Sequence, residues 1–298
     1  MTTLHPFVHL RMHTEFSVVD GAVRVPDAIK AATENNQPAL AITDLNNLFG
    51  AVKFYKKSRA AGVKPLIGAD INVIGMPQDG EAHSPLPGQL PVLSRLLILV
   101  QNNQGYLNLC ELLARAWTRG SGRDQAAVHW TWLQGLNEGL IVLSGAQAGP
   151  VGRALMAGDH TRASQLALCL AETFTHRFYL EIQRAGREDD ERHVMACIPL
   201  AVRLGLPLAQ CGRGLQANAE RHLRSRARLA VLFDAQHLAN TLVVAQRCAV
   251  MAPKRDPILP TIGDKAGEAD QLRVDARAGL AKRLELIPDA DRDVYAQR

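Results

Sequence analysis

Two apolar runs that each end in or near an acid constrain this chain more than any other feature. Residues 38–44 read Pro-Ala-Leu-Ala-Ile-Thr-Asp, and residues 62–73 read Gly-Val-Lys-Pro-Leu-Ile-Gly-Ala-Asp-Ile-Asn-Val. Neither alternates apolar with polar, so neither suits a sheet with one wet face. Near-continuous apolar runs belong to strands covered on both faces, as in parallel sheets flanked by helices. Asp44 and Asp70 fall toward the C-terminal ends of these runs, the edge at which α/β folds assemble their chemistry.

The remaining pattern agrees with that layering. Strand candidates at 7–12, 39–43, 65–73, 96–100, 139–143, 178–182 and 206–209 alternate with helix candidates at 26–35, 48–61, 105–118, 147–157, 160–173 and 188–204. Such alternation is the signature of crossover-connected strands. Pro26 suits a first helical turn and Gly62 a helix stop. In the helix at 105–118, Leu107, Cys110, Leu113 and Trp117 recur at helical spacing and read as its buried stripe. A doubly wound nucleotide-binding sheet would carry a Gly-rich loop after its first strand. Here that strand runs into Thr14-Glu15-Phe16-Ser17, so a closed (β/α) barrel is preferred. Residues 75–92 and 119–126 read as surface loops, and 236–249 and 266–286 as amphipathic helices.

Composition sets outer limits. A chain of 298 residues is long enough for one large α/β domain, or for one domain plus an appendage, and 47% apolar with 21% charged residues excludes a disordered chain. The net charge of +5 permits a nucleic-acid or acidic partner without requiring one. The densest basic run, at 212–228, sets Arg213, Arg221, Arg224, Arg226 and Arg228 against Glu220 alone. No aromatic residues are interleaved there to stack bases, so a solvated helix face is the stronger reading. The five cysteines form no CxxC pair and read as reduced thiols. With no basic-then-apolar leader and no apolar run of membrane-spanning length, a cytoplasmic protein without a membrane partner is expected.

The opening Phe7-Val8-His9-Leu10-Arg11-Met12-His13 places His9, Arg11 and His13 at every second position, hence on one face of a strand. Histidine ligates metals, but Arg11 keeps its proton and does not. The face is therefore a metal site, the remains of one, or a half-solvated strand with no chemistry at all.

These segments are joined by Val-Lys-Phe-Tyr (52–55), Asn-Glu-Gly-Leu-Ile-Val-Leu-Ser-Gly (137–145), Phe-Tyr-Leu-Glu-Ile-Gln-Arg-Ala-Gly-Arg (178–187) and Leu-Ala-Asn-Thr-Leu-Val-Val-Ala-Gln-Arg-Cys (238–248). In this order they resemble the N-terminal polymerase-and-histidinol-phosphatase (PHP) domain of bacterial DNA polymerase III alpha subunits, from Phe7 to about Pro207 and again from Leu238. The resemblance implies a distorted seven-stranded (β/α) barrel, incomplete near 209–232 where the match is lost, and a C-terminal helical segment. The implied domains are 1–232 and 233–298. It also implies a site that, when intact, holds two or three divalent metals. At the matching positions Arg11 replaces the first histidine of a His-x-His pair and His13 keeps the second. Asp44 is followed by Leu45 where a histidine belongs, and Asp70 stands for a longer glutamate. Arg95, Ala146 and Ala185 replace further ligands, and Gln210-Cys211-Gly212-Arg213 lacks the last motif.

Only His13, Asp44 and Asp70 thus remain as candidate ligands, with His9, Arg11 and Arg95 lining a vestigial site. Arg11 and Arg95 oppose cations electrostatically, so no metal cofactor is expected, and Arg11 is expected to pair with Asp44 or Asp70. The implied role lies in DNA replication, as a non-catalytic module that holds the proofreading exonuclease and meets DNA through the parent polymerase. The chain stops at Asp-Val-Tyr-Ala-Gln-Arg, about where the polymerase palm is expected to begin, so no polymerase site is expected within it. The alternatives are a phosphoesterase using His13, Asp44 and Asp70 with zinc, manganese or magnesium, or a decayed paralogue without function.

Overall fold

The second apolar run becomes the longest strand and the pivot of the sheet. In the computed structural model, which describes residues 7–18, 20–77, 93–119, 126–210, 229, 231–252, 265–286 and 294–295, it spans Lys64–Ile74. The strands are β1 (Ala39–Ile42), β2 (Lys64–Ile74), β3 (Ser94–Val100), β4 (Val128–His129), β5 (Leu140–Leu143), β6 (Phe178–Ile182) and β7 (Leu208–Gln210). The helices are α1 (Val25–Glu34), α2 (Ala51–Ala60), α3 (Asn103–Arg119), α4 (Trp130–Gly135), α5 (Pro150–Met156), α6 (His160–Thr173), α7 (Asp190–Leu204), α8 (Ala235–Arg247) and α9 (Lys265–Glu285).

All seven strands join one curled sheet, ordered β1-β2-β3-β5-β6-β7 with β4 beside β2, a half-barrel with the α/β layering and incomplete closure expected from sequence. One strand departs from the parallel pattern. β3 runs antiparallel to both β2 and β5. β2 and β3 are consecutive strands that pair directly, and an antiparallel neighbour needs no crossover, whereas a parallel one does. The sheet's two faces are both apolar. Leu66, Leu97, Leu99, Ile141, Leu143, Tyr179 and Ala209 pack together on the inner face, with Val8 and Leu10. Ile67, Ile71, Leu96, Ile98, Val142, Phe178 and Leu180 face the helical layer.

The expected first strand is not a strand. Residues 7–12 contribute a single bridge, His9 to Leu40, and the backbone is held by Ala41 and Thr43 donating to the carbonyls of His9 and Met12. Among the described residues, no strand joins β7 to this segment. Instead α8 lies across the gap and satisfies both sides. Asn240 Nδ2 donates to the Leu208 carbonyl at 2.6 Å, and Val8 N donates to Thr241 Oγ1 at 3.0 Å. Helix capping of an open seam deals with unpaired backbone groups that would otherwise be a liability. This contact also moves the boundary: the first compact unit runs to Ala252 rather than ending at 232, because α8 packs on β7. The second unit, 253–298, contains α9.

Sequence patterning on α3 erred by one position. Leu109, Leu112, Leu113 and Ala116 form the buried stripe, while Leu107 and Trp117 are 60% and 61% exposed. The basic run at 212–228, Cys211, most of the loop at 75–92 and most of that at 119–126 lie outside the described residues.

Candidate functional site

Asp70 is the centre of the site. It lies on β2 where the inner face meets the ends of neighbouring strands, and it is fully buried. The alternation along each strand brings Asp70, Arg95 of β3 and Glu181 of β6 to the same side as the inner apolar residues Leu66, Leu97 and Tyr179.

Arg11 fills the space between the acids. Its Nη2 reaches Asp70 Oδ2 at 2.7 Å and its Nη1 reaches Glu181 Oε1 at 2.7 Å. His13 comes next, with Nε2 at 3.2 Å from Asp70 Oδ2 and Nδ1 at 2.9 Å from Asp20 Oδ1. Arg95 closes the rim, with Nη1 at 3.6 Å from Asp70 Oδ2 and 3.7 Å from Asp20 Oδ2. With His13 protonated, Arg11, His13 and Arg95 balance Asp20, Asp70 and Glu181.

The supporting contacts hold the acids in place. Glu181 Oε2 accepts from Gly145 N at 3.1 Å, and Glu181 N donates to Ser144 Oγ. Gly145 has φ +79°, and a Cβ there would lie 2.0 Å from the Arg95 carbonyl, so the Leu-Ser-Gly segment needs glycine at this position. Asp20 Oδ1 also accepts from Ser17 Oγ at 2.6 Å.

Each charge responds to this packing. Burial alone would push the Asp70 carboxyl up, but Arg11, His13 and Arg95 hold it well below the usual carboxylate range. Burial depresses His13, yet its bonds to Asp20 and Asp70 outweigh that and its pKa is raised. Glu181 is raised, by burial first and by Asp70 in addition, against the pull of Arg11. A pair sharing one guanidinium cannot both be fully compensated, and Asp70 has the greater share of cations.

Two sequence candidates do not join this cluster as expected. Asp44 gives both carboxylate oxygens to Thr14, accepting from its N at 2.6 Å and from its Oγ1 at 2.9 Å. Burial raises its pKa. Arg11 therefore pairs with Asp70, one of the two expected partners, and with Glu181, which was not foreseen. His9 is also set apart: its Nδ1 meets Gln37 Oε1 at 2.9 Å and its ring meets Phe7 edge-on. The irregular backbone at 10–13 breaks the alternation that strand geometry would impose, so His9 parts from Arg11 and His13. Glu181 and Asp20 were missed. Glu181 had a signal, being the lone acid inside an apolar strand run, whereas Asp20 sits in a turn with none.

These residues do not suit a divalent cation. The His13 Nε2 and Asp70 Oδ2 that would ligate it face each other and two arginines, and Asp44 is committed to Thr14. Among the described residues no group of three His, Cys, Asp or Glu side chains could hold a metal ion.

A PHP domain model matches residues 9–185, and the chain belongs to the PHP domain family. Its relatives narrow the setting further. It is 36% identical over 98% of its length to the DNA polymerase III subunit alpha of Pseudomonas aeruginosa, and 35% identical over 96% to that of Escherichia coli strain K12. The match lies in the N-terminal region of those subunits, and the chain spans 27% and 26% of their lengths. An amidohydrolase from Chromobacterium violaceum aligns over 72% of this chain and 89% of its own, with a TM-score of 0.45 and 14% identity, too loose a likeness to carry an argument.

Proposed function

We propose that this chain serves DNA replication as a metal-free PHP module of the DNA polymerase III alpha type, a structural platform for the proofreading exonuclease, without a polymerase site of its own. One observation carries the reading: Arg11 is seated between Asp70 and Glu181, 2.7 Å from each, inside a retained barrel scaffold. A guanidinium there cannot be displaced by a cation without leaving two positive charges among the same acids. The phosphoesterase alternative needs His13, Asp44 and Asp70 to converge on one ion, and Asp44 faces Thr14 instead. A cytoplasmic setting accords with the absence, among the described residues, of any helix long and apolar enough to cross a membrane.

The test is size-exclusion chromatography with light scattering, on the chain alone and mixed with the exonuclease subunit of the same organism. The platform reading predicts a stable one-to-one complex. A well-folded chain that elutes apart from the exonuclease at micromolar concentrations contradicts it.

A further inference from the structure

The surface around α2 combines unopposed cations with exposed aromatic rings. Between Asp44 and Asp70 the sequence holds no acid, but it holds Lys53, Lys56, Lys57, Arg59 and Lys64. Two of these are engaged. Lys64 Nζ donates to the Ala245 carbonyl at 2.8 Å near the end of α8, and Lys53 pairs with Glu15 at 2.8 Å while lying over the Phe16 ring. Lys56, Lys57 and Arg59 stand exposed on α2, with no ion pair among the described residues.

Two exposed rings lie at the turn that leads into the same helix. Phe49 is 70% exposed directly before α2, and Val52, 62% exposed, opens its first turn. Val52, Lys56 and Arg59 follow at i, i+4 and i+7, so they share one side of the helix. Trp117 of α3 is 61% exposed, yet its Nε1 donates to the Asn46 carbonyl at 2.8 Å. The indole is thus pinned by its edge to the turn that leads through Phe49 into α2, leaving much of its surface open to solvent. A large ring already fixed in place loses little freedom when something stacks on it.

We propose that this face binds single-stranded nucleic acid, with Lys56 and Arg59 neutralising successive phosphates and Phe49 and Trp117 stacking unpaired bases. Cations along a helix whose entry turn carries two flat apolar rings match a chain whose charges repeat and whose bases are free to stack. A duplex offers the same phosphates but keeps its bases inside. The proposal is independent of the exonuclease reading and goes beyond it.

The test is fluorescence anisotropy of a labelled oligothymidine twenty nucleotides long, titrated with the 298-residue chain at several salt concentrations. Expected are binding that weakens steeply with salt and quenching of tryptophan fluorescence. The double variant K56Q/R59Q should flatten the plot of log K against log salt by about 1.4, since each single-strand phosphate contact contributes about 0.7. F49S should weaken binding about tenfold while leaving that slope unchanged. All three positions are exposed, and a thermal melt confirms that the variants fold. The proposal is overturned by no binding at low salt, by equal affinity for a duplex of the same length, or by preference for polyglutamate over oligothymidine. It is also overturned if the α2 variants bind as before and only changes at Arg221, Arg224 and Arg226 abolish binding.

Discussion

Replacing Arg11 with leucine removes the one cation shared by Asp70 and Glu181, both of which are completely buried. Removing one partner of a buried ion pair costs about 3–5 kcal/mol, because the charge left behind has no solvent to turn to. Two acids lose their partner here, but the costs do not simply double. Glu181, whose pKa is already raised, escapes by taking up a proton, and Asp70 keeps His13 and Arg95 within 3.2 and 3.6 Å. The expected loss is therefore about 3–5 kcal/mol in total, or about 6–20 °C in Tm for a unit of this size. Urea unfolding followed by circular dichroism at pH 7 measures it. The double variant R11L/E181Q should recover part of the loss, with a coupling of about 2 kcal/mol between the two sites. The R11L deficit should also shrink as pH falls and the orphaned acids protonate. An R11L chain within about 1 kcal/mol of the parent, or strict additivity in the cycle, would refute a shared buried guanidinium.

His13 is raised, so the stability it contributes is full below about pH 6.5 and is lost as pH climbs above that through its folded value; over that rise His13→Gln should flatten the decline seen in the parent, and unchanged slopes in urea midpoints would count against the cluster. His193 on α7 behaves oppositely: burial depresses it to about 4, and its Nδ1 has no hydrogen-bond partner among the described residues. It resists protonation in the folded chain, so stability falls as pH drops from about 6.5 to about 4, and His193→Leu should lose distinctly less over that interval, read by the same urea midpoints. Gly145→Ala should destabilise by more than about 2 kcal/mol in thermal melts, since alanine is strained at φ +79° and meets the Arg95 carbonyl; a neutral result would mean that the Leu-Ser-Gly turn is not as tight as drawn.

Legibility in the sequence tracked how locally each feature is determined. Strands 64–74, 94–100 and 178–182 were readable because burial on both faces requires continuous apolar runs, and Gly62, with φ +76°, ends α2 where its freedom was needed. Helix ends at 34, 60, 119 and 204 fell within a residue or so of their punctuation. Less was legible at residues 7–13, where strand-like composition conceals irregular backbone fixed by Thr43 and Gln37 from elsewhere in the chain. Strand β4 has only two residues and exists by pairing with β2, so no local pattern announces it. At the site, Arg11 and Arg95 stand at positions where the resemblance implies ligands, and that was visible residue by residue. That Arg11 would join Glu181 as well as Asp70 was not, because Glu181 lies 170 positions away and is brought close only by the curl of the sheet. Asp44 was read as a site residue on the strength of its place at a strand end; it gives both oxygens to Thr14 while staying within electrostatic reach of His13 and Asp20, a commitment no strand pattern announces.

The measurement that most directly tests the account is metal analysis by plasma mass spectrometry, on the chain purified without chelator and then dialysed against zinc and manganese in turn, with phosphatase turnover recorded on the same samples. The account predicts well below one ion per chain and no turnover above buffer, because Arg11 and Arg95 hold the acids that a cation would need. One or more ions per chain, with turnover that His13→Ala abolishes, would contradict it.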